Sequence, residues 1–246
     1  MSKVGLLQFD PTVGDLEQNC RRLTALAEQA ERSGADVGVS TELAVCGYPP
    51  RDLLMERDFI HRSMHAALGI KTAIPVLIGT PIPAADERTL PTNGVVRSGP
   101  TSGSITNDVQ NRIVAEKQLL PTYDVFDEAR YFAAKNRSGL ARSIGGLTLG
   151  VTVCEDAWQS AGLTPSNYAQ DPIEHIAEWC RQGVAIEATV NLSASPFHNE
   201  KFSTRLAVAR HAAAVLNHPF LLANQVGGND DLLFDGRSLV ACLLYT

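Results

Sequence analysis

Apolar runs of strand length alternate with amphipathic stretches of helix length along the first third of the chain. The runs are bounded by polar or turn-forming residues, whereas the longer stretches repeat apolar side chains on one helical face. A helix is predicted to begin at Asp15, and Gly34 can close it. The predicted strands are residues 4–9, 36–39 and 76–79, and a second helix is predicted at residues 53–68. This alternation of strands and helices predicts an α/β domain.

The middle of the chain is richer in strand patterns, and helical patterns return towards its end. Predicted strands in the middle are residues 93–97, 112–119 and 147–153, joined by polar connections such as residues 98–111. The later helices are predicted at residues 173–181 and 202–216, with strands at 184–190, 220–223 and 238–243 and a tight loop at 227–230. No repeat, low-complexity tract or linker interrupts the sequence, so residues 1–246 are predicted to form one domain.

Size and composition fit this interpretation. The chain has 246 residues, of which 44% are hydrophobic, and this is enough for a sizeable core. Its formal charge of -6 comes from acidic and basic residues scattered along the whole length, so no nucleic-acid binding is predicted. The chain does not open on a secretory signal pattern, and no apolar run approaches membrane-spanning length. We therefore predict a soluble, cytoplasmic protein with no membrane partner.

The cysteines and histidines do not form a disulfide or metal pattern. The five cysteines are odd in number and widely spaced, and no Cys-x-x-Cys pair occurs. His61 and His65 have the spacing of helical metal ligands but lack the glutamate of a metalloprotease motif, so an exposed helix face is predicted. The sequence also contains no phosphate loop or dinucleotide-binding fingerprint. We predict no metal site and no cofactor in this chain.

Three residues of different chemistry each lie at or just beyond the carboxyl end of a predicted strand: Glu42, Lys117 and Cys154. Strand ends are where α/β folds place their chemistry. Hydrolysis of an amide by covalent catalysis needs a thiol with a neighbouring base, and a fixed positive charge where the oxyanion develops. The three residues together therefore predict an amidohydrolase.

Each of these residues alone has an ordinary structural explanation. A cysteine is more often a small core residue than a nucleophile, Glu42 fits a helix cap or a solvated loop, and Lys117 fits a surface lysine. The setting of Cys154 favours a nucleophile over a core cysteine, because two carboxylates and Trp158 follow it at a strand end. The turn at residues 155–157 can hold the thiol exposed on a sharp elbow, with backbone N–H groups facing an oxyanion. The other four cysteines are predicted to be core residues.

These residues belong to five ordered motifs that resemble the nitrilase, or carbon-nitrogen hydrolase, superfamily. The motifs are residues 41–54, 117–132, 153–158, 191–197 and 224–230. The similarity runs from about residue 3 to about residue 240. Within the superfamily the chain most resembles the amino-terminal glutaminase domains of glutamine-dependent NAD synthetases. The resemblance implies a four-layer αββα sandwich, in which two central sheets bring the reactive residues together at one end.

The resemblance also implies a role for each reactive residue. Glu42 would take the thiol proton, Cys154 would attack the side-chain amide of L-glutamine, and Lys117 would stabilise the tetrahedral oxyanion. Glu128 resembles the family's second glutamate, which orients Lys117. Ammonia would leave, and water activated by Glu42 would then release glutamate from a thioester.

Substrate contacts carry over from the same resemblance. They are Tyr48 and Tyr123 as pocket walls, Glu155 at the α-amino group, Ser195 near the amino-acid end and Lys201 at the α-carboxylate, with Trp158 as a further substrate contact. A lysine offers that carboxylate a point charge in place of the two-pronged guanidinium of an arginine.

Three features depart from the family pattern. Thr41 replaces the usual proline before the glutamate, and segment 98–111 is longer than the expected hairpin loop, so it is predicted to be a surface insertion. The third is that residues 1–246 contain no pyrophosphate motif of the family's ATP-dependent synthetase domain. ATP and Mg are therefore expected only in that missing domain, and an NAD synthetase domain or subunit is the expected partner.

Two other functions stay open. A free-standing nitrilase-type amidase acting on another small amide would use the same triad, and an inactive module would keep the sandwich only as an assembly surface. A glutamine site differs from a simple amidase site because it must pair both α groups, as Glu155 and Lys201 can. The resemblance further implies a homo-oligomer, of a size that the apolar pattern does not specify.

Overall fold

The structure, a computed structural model, describes residues 2–86, 88–100, 109–135 and 139–242. Within these ranges it contains two five-stranded sheets, a separate hairpin and four α-helices. The strands are β1 (Val4–Leu6), β2 (Val37–Val39), β3 (Val76–Ile82), β4 (Thr92–Ser98), β5 (Ile113–Glu116), β6 (Gly139–Ile144), β7 (Leu147–Val153), β8 (Ala188–Ser193), β9 (Phe220–Asn224), β10 (Val226–Asn229), β11 (Leu232–Asp235) and β12 (Leu239–Ala241). The helices are α1 (Leu16–Arg32), α2 (Arg57–Gly69), α3 (Pro172–Arg181) and α4 (Lys201–Leu216).

The first sheet has the strand order β1-β2-β3-β4-β5. Strands β1, β2 and β3 are parallel, and two antiparallel pairings follow, so that β2, β3 and β5 all end at one edge. Helices α1 and α2 cover the outer face, where Leu23, Ala27 and Met64 join apolar residues of the strands. Asp15 caps α1 by accepting a hydrogen bond from the Gln18 N–H, which confirms the predicted start of this helix.

The second sheet has the strand order β12-β9-β8-β7-β6. Its three central strands, β7, β8 and β9, are parallel, whereas both edge strands are antiparallel to their neighbours. Helices α3 and α4 cover its outer face through Ile173 and Ile176 of α3 and Val208 and Ala212 of α4. The central strands are buried on both faces, which accounts for their nearly continuous apolar runs.

The inner faces of the two sheets pack against each other. Val39, Leu77 and Val95 of the first sheet meet Leu149 and Val190 of the second, and these side chains are fully buried. The order of layers is helix, sheet, sheet, helix, which confirms the predicted αββα sandwich. In the part of the chain that the structure describes, no helix combines the length and the apolar character that crossing a membrane requires.

The structure corrects two predicted elements near the carboxyl end. The predicted loop at residues 227–230 is wrong, because residues 227–229 belong to β10, which pairs with β11 in a hairpin that turns at Asp230. Glycine and asparagine favour turns, but main-chain pairing of Gly227 with Phe234 overrides that preference. The predicted strand 184–190 is wrong at its start, since β8 begins at Ala188.

Strand β11 is missing from the predicted elements, and so is β6. The sequence of β6 carries Gly139 and Ser143 and lacks a clear apolar alternation, and it forms a strand as the antiparallel edge partner of β7. Part of the predicted insertion at 98–111 lies outside the described residues, because residues 101–108 are not among them. The end of the predicted strand 238–243 lies outside them as well.

Candidate active site

The fold brings the predicted base and cation into direct contact, although 75 positions separate them in the sequence. The Lys117 ammonium donates to Glu42 Oε1 at 2.7 Å, and it lies 2.8 Å from the carboxylate of Glu128. Lys117 and Glu42 are fully buried, and Glu128 is 5% exposed. Lys117 is therefore not the surface lysine that its type alone suggests, and one ammonium bridges two carboxylates in the interior.

Glu42 lies three residues beyond the end of β2 and is held from both sheets. Its Oε1 accepts from the Asn93 side-chain amide at 2.8 Å, and its Oε2 accepts from the Ala194 N–H at 3.0 Å. The neighbouring main chain lies directly against Gly79 of β3, where a Cβ atom would come within 2.4 Å of the Thr41 carbonyl oxygen. Glycine is therefore required there for the Glu42 segment to approach β3 so closely.

Lys117 follows directly after β5. Its own N–H donates to the Asn93 carbonyl at 2.7 Å. Asn93 thus positions both partners of the ion pair, the carboxylate of Glu42 through its side chain and the main chain of Lys117 through its carbonyl group. Such double support leaves the long lysine side chain with one direction in which to extend.

Cys154 follows directly after β7, at the start of a short 3-10 helix, Cys154–Ala157. Its φ of 43° lies in the left-handed region that non-glycine residues seldom adopt, which confirms the predicted sharp elbow. The prediction that this elbow holds the thiol exposed is wrong, because Cys154 is only 6% exposed and packs into the core between the sheets. The Asn191 side-chain amide of β8 donates to its carbonyl oxygen at 3.2 Å.

Asp156 links the cysteine and lysine segments. Its Oδ1 accepts from the N–H groups of Gln118 and Leu119, each at 3.0 Å, and its Oδ2 accepts from the Val153 N–H at 3.0 Å. Burial raises the pKa of this carboxyl to about 7, while the backbone N–H groups, which favour the carboxylate, oppose that rise. Sequence reasoning placed Asp156 only in a turn and gave it no function.

The electrostatics of the cluster keep the resting thiol protonated. Burial and the negative charge of Glu42 hold the pKa of Cys154 well above its usual range, and Lys117 opposes them. Burial alone would lower the pKa of Lys117, but the charges of Glu128 and Glu42 outweigh it and hold that pKa well above its usual range. Burial also raises the pKa of Glu128 to about 7, against the pull of Lys117. A neutral thiol therefore lies beside a buried base and a permanent cation.

A second polar cluster surrounds Glu155, the residue after the cysteine. The Tyr123 hydroxyl donates to this carboxylate at 2.9 Å, and the Thr164 hydroxyl donates to it at 2.7 Å. The Tyr168 hydroxyl lies 3.4 Å from it, and burial together with the Glu155 charge raises the pKa of Tyr168 to about 12. Thr164 and Tyr168 are absent from the predicted site.

The remaining predicted substrate residues lie at three places. The Lys201 ammonium, at the start of α4, lies 4.4 Å from the centre of the Trp158 ring. Burial lowers the pKa of Lys201, and the negative charge of Glu155 opposes that shift. Ser195 is buried, and its N–H donates to the Asn224 side chain at 2.9 Å.

Tyr48 contacts the buried ion-pair cluster through Glu128. It is buried, and its hydroxyl donates to the Glu128 carboxylate at 2.9 Å. In the resting structure Tyr48 is therefore engaged with the second glutamate. Its predicted role as a pocket wall stays a prediction.

Apart from Thr164 and Tyr168, the residues that sequence reasoning missed act through the main chain or as supports of the reactive side chains. Asn93 reads as an ordinary polar residue of a predicted strand, and the Ala194 N–H has no side-chain signal at all. Asp156 lies within the motif at residues 153–158, but only the folded structure shows which N–H groups its carboxylate accepts from.

The other four cysteines and the histidine pair, His61 and His65, do not belong to the cluster around Lys117. Cys46 is buried in the core as predicted, whereas the three remaining cysteines, Cys20, Cys180 and Cys242, are only partly buried. His61 and His65 are both on the exposed face of α2. Among the residues that the structure describes, no group of three or more His, Cys, Asp or Glu side chains is arranged to hold a metal ion.

Curated proteins match this chain over nearly its whole length. The chain is 36% identical over 248 residues to a glutamine-dependent NAD(+) synthetase of Synechocystis sp., a match that covers 97% of this chain and 42% of that protein. It is 33% identical over 243 residues to the enzyme of the same name from Thermotoga maritima, covering 97% of this chain and 38% of that protein. The chain therefore spans about two fifths of the length of these curated relatives.

Solved structures agree with the architecture. A glutamine-dependent NAD+ synthetase from Acinetobacter baumannii, in complex with ADP, superimposes with a TM-score of 0.78 at 26% identity, over 98% of this chain and 41% of that one. An amidase from Nesterenkonia sp. superimposes with a TM-score of 0.71 at 18% identity, over 97% of this chain and 81% of that one. At its lower identity the amidase match shows the fold alone.

The carbon-nitrogen hydrolase family pattern matches residues 3–242, nearly the whole chain. This range includes Glu42, Lys117 and Cys154, together with both sheets of the sandwich. The protein therefore belongs to the carbon-nitrogen hydrolase family.

Proposed function

We propose that this domain is a glutaminase that hydrolyses L-glutamine to glutamate and ammonia. The single observation that carries the proposal is the buried cluster in which Lys117 bridges Glu42 and Glu128 beside Cys154. This cluster combines a base, a fixed cation and a nucleophile, as amide hydrolysis requires. The names of the curated relatives support glutamine as the substrate.

In the first half of the reaction, the thiol proton moves to Glu42 as Cys154 Sγ attacks the carbonyl carbon of the side-chain amide. The resting thiol has a raised pKa and is therefore neutral, so a base must remove its proton as the new bond forms. Transfer of this proton neutralises Glu42 and leaves the charge of Lys117 to stabilise the tetrahedral oxyanion. Glu42 then returns the proton to the leaving nitrogen, the C–N bond breaks, and ammonia departs from a thioester.

In the second half, the same residues act on water. Glu42 is again a carboxylate, and it removes a proton from a water molecule that attacks the thioester carbon. The second tetrahedral oxyanion forms at the same place and meets the same ammonium of Lys117. The C–S bond then breaks, the sulfur regains its proton, and glutamate is released. Glu128 and Asn93 hold Lys117 in place through both halves.

Recognition of a glutamine needs opposite charges for its two α groups. Glu155 offers a carboxylate to the α-amino group, with Tyr123 and Thr164 already bound to it. Lys201, held over the Trp158 ring, offers a cation to the α-carboxylate. Glu155 directly follows Cys154 in the chain, and Lys201 lies against Trp158, four residues after Cys154, so both charges are held near the nucleophile. A simple aliphatic amide would give neither Glu155 nor Lys201 a partner of opposite charge.

We further propose that the ammonia serves NAD synthesis on a partner domain or subunit. The support is that the relatives named NAD synthetases are more than twice as long as this chain. ATP and Mg would belong to that partner, since amidation of a carboxylate needs activation that this site does not offer. A homo-oligomer in the cytoplasm remains part of the same proposal.

The test is glutamate and ammonia release from L-glutamine by the purified domain, with asparagine and a simple aliphatic amide as parallel substrates. Glutamine-selective release is expected from the wild type and none from Cys154→Ala, with Cys180→Ala as a matched control at a partly buried cysteine of α3 that is not part of the cluster. Turnover of the aliphatic amide alone would favour a free-standing amidase. No turnover of any amide, with and without an added synthetase, would favour an inactive assembly module.

A further inference from the structure

We propose that Asp156 is a positioning residue that holds the nucleophile and the oxyanion-stabilising cation at a fixed separation. The proposal rests on the proposed function, because it explains how Cys154 and Lys117 act as one unit. Asp156 is 2% exposed, and its carboxylate accepts three backbone N–H groups from two separate segments.

The three donors come from the two sheets. Val153 is the last residue of β7 in the second sheet and directly precedes Cys154. Gln118 and Leu119 directly follow Lys117, beyond the end of β5 in the first sheet. One side chain therefore ties the residue before the nucleophile to the two residues after the cation.

The other contacts of Lys117 do not set this separation by themselves. Its ammonium is bound to Glu42 and Glu128, and its N–H to the Asn93 carbonyl; these three residues belong to the segments around the first sheet. Cys154, by contrast, is held by Asn191 of the second sheet. The Ala194 N–H also reaches Glu42 from the second sheet, but it holds the base and not the nucleophile. Asp156 joins the segments of Cys154 and Lys117 directly, so it opposes a shift between the two sheets that would change the distance from thiol to ammonium.

The chemistry of the side chain fits this role closely. A carboxylate presents two acceptor oxygens, and here Oδ1 takes two N–H groups and Oδ2 takes the third. Asparagine has nearly the same shape but only one acceptor oxygen, so its NH₂ group must face at least one of the three N–H groups. Asp156→Asn therefore removes at least one of the three hydrogen bonds. Asp156→Glu keeps the charge, but its side chain is too long for the same geometry.

The experiment compares Asp156→Asn and Asp156→Glu with Asp171→Asn. Asp171 is a matched control, because it too accepts two backbone N–H groups, at the start of α3 and away from the cluster. Two quantities are measured for each variant. The first is kcat and KM for L-glutamine, and the second is the pH profile of Cys154 alkylation by iodoacetamide, read on the cysteine-containing peptide by mass spectrometry.

Asp156→Asn is expected to lower kcat about 10- to 100-fold with KM changed less than about threefold, since small displacements of reacting groups cost this much. Its alkylation profile is expected to shift to higher pH, because a displaced Lys117 no longer opposes the raised pKa of the thiol. Asp156→Glu is expected to show both effects, and Asp171→Asn neither. If Asp156→Asn does not fold, the same two readings on Asp156→Glu decide the matter.

Two results would overturn the proposal. A profile that shifts to lower pH in Asp156→Asn and returns to that of the wild type in Asp156→Glu would show that Asp156 acts by its charge alone. Wild-type kcat and an unshifted profile in both variants would show that it has no positioning role. Alkylation of Cys154 does not require glutamine turnover. A wild type that releases no glutamate would contradict the proposed function, and the alkylation profiles would still test whether Asp156 positions Cys154 and Lys117.

Discussion

At the residue scale, the site places two buried carboxylates around one ammonium. Glu42 and Glu128 both lie within hydrogen-bond distance of Lys117, so the three charged side chains sum to one negative charge in the interior. Burying an uncompensated charge is costly, and the cluster responds through a raised pKa at Glu128. The residue that orients the cation therefore titrates close to neutral pH, and two predictions follow at this scale.

The first concerns the pH dependence of stability. The pKa of Glu128 rises from 4.5 to about 7 in the folded protein. Its protonated form therefore contributes stability that is fully present below about pH 4.5 and is lost as the pH rises through about 7. The glutamine of Glu128→Gln is neutral at every pH, so this variant lacks that loss. The melting temperature of Glu128→Gln minus that of the wild type is therefore expected to increase between about pH 5 and about pH 8. Thermal unfolding at a series of pH values measures this.

The matched control for this prediction is Glu178→Gln. Glu178 is an exposed glutamate whose pKa is lowered by its hydrogen bond to Arg181, so the pH-dependent gain should be absent there. Wild type and Glu128→Gln with parallel melting curves across this pH range would mean that Glu128 does not change its protonation state on folding.

The second prediction concerns Lys201. Lys201→Gln removes the cation proposed for the α-carboxylate and is expected to raise KM for L-glutamine about 10- to 100-fold, with kcat little changed. Lys201→Arg keeps the charge and should stay within a few-fold of the wild type. Steady-state kinetics on glutamine and on a simple aliphatic amide measure the difference. An equal loss on both amides would argue against a carboxylate contact.

At the element scale, the site depends on where strands end. Strands β2 and β5 end at one edge of the first sheet, and β7 ends in the second, so Glu42, Lys117 and Cys154 follow strand ends as predicted. Apolar sequence patterns did not reveal β6 or β10, because the sequences of these strands are polar or glycine-rich. Both strands are stabilised by pairing with their neighbours. Local patterns thus located the apolar strands of both sheets and missed β6 and the hairpin.

The element-scale prediction concerns Gly79 of β3. A Cβ atom there would come within 2.4 Å of the Thr41 carbonyl oxygen and 2.6 Å of the Leu43 nitrogen, both main-chain atoms beside Glu42. Gly79→Ala is therefore expected to displace the Glu42 segment, to lower kcat at least about 10-fold and to lower stability by about 1–3 kcal/mol.

Glutamine hydrolysis and chemical denaturation measure these two effects. The matched control is Gly69→Ala at the end of α2, where an added Cβ meets nothing within 4 Å. It should leave activity unchanged. Wild-type activity in Gly79→Ala would mean that the main chain can move aside without affecting the base.

At the scale of the whole molecule, the two sheets are held together by a shared apolar core. Leu149 of β7 is fully buried between the sheets, beside residues of β2, β3 and β4. Because this core joins both halves of the candidate site, its integrity decides whether the site exists at all. Supports such as Ala194 and Asp156, which reach from one sheet to the other, act only when the sheets are packed.

The prediction at this scale compares two leucines in strands. Leu149→Ala is expected to lower the free energy of unfolding by about 2–5 kcal/mol, the range for truncating a buried leucine. Leu233→Ala, in β11 at a side chain that is 64% exposed, should change it by less than about 0.5 kcal/mol. Urea denaturation followed by circular dichroism measures both. Similar losses in the two variants would contradict the packing described here.

The sequence by itself determined the alternation of strands and helices, the types of the reactive residues and their places after strand ends. It did so because apolar periodicity and side-chain chemistry are local properties of the chain. The tertiary structure alone decided that the Cys154 thiol is buried, that Asn93 supports both Glu42 and Lys117, and that the Ala194 N–H reaches Glu42 across 152 positions. Such contacts form only when distant strands pair and sheets pack, and a backbone N–H looks the same at every position of a sequence.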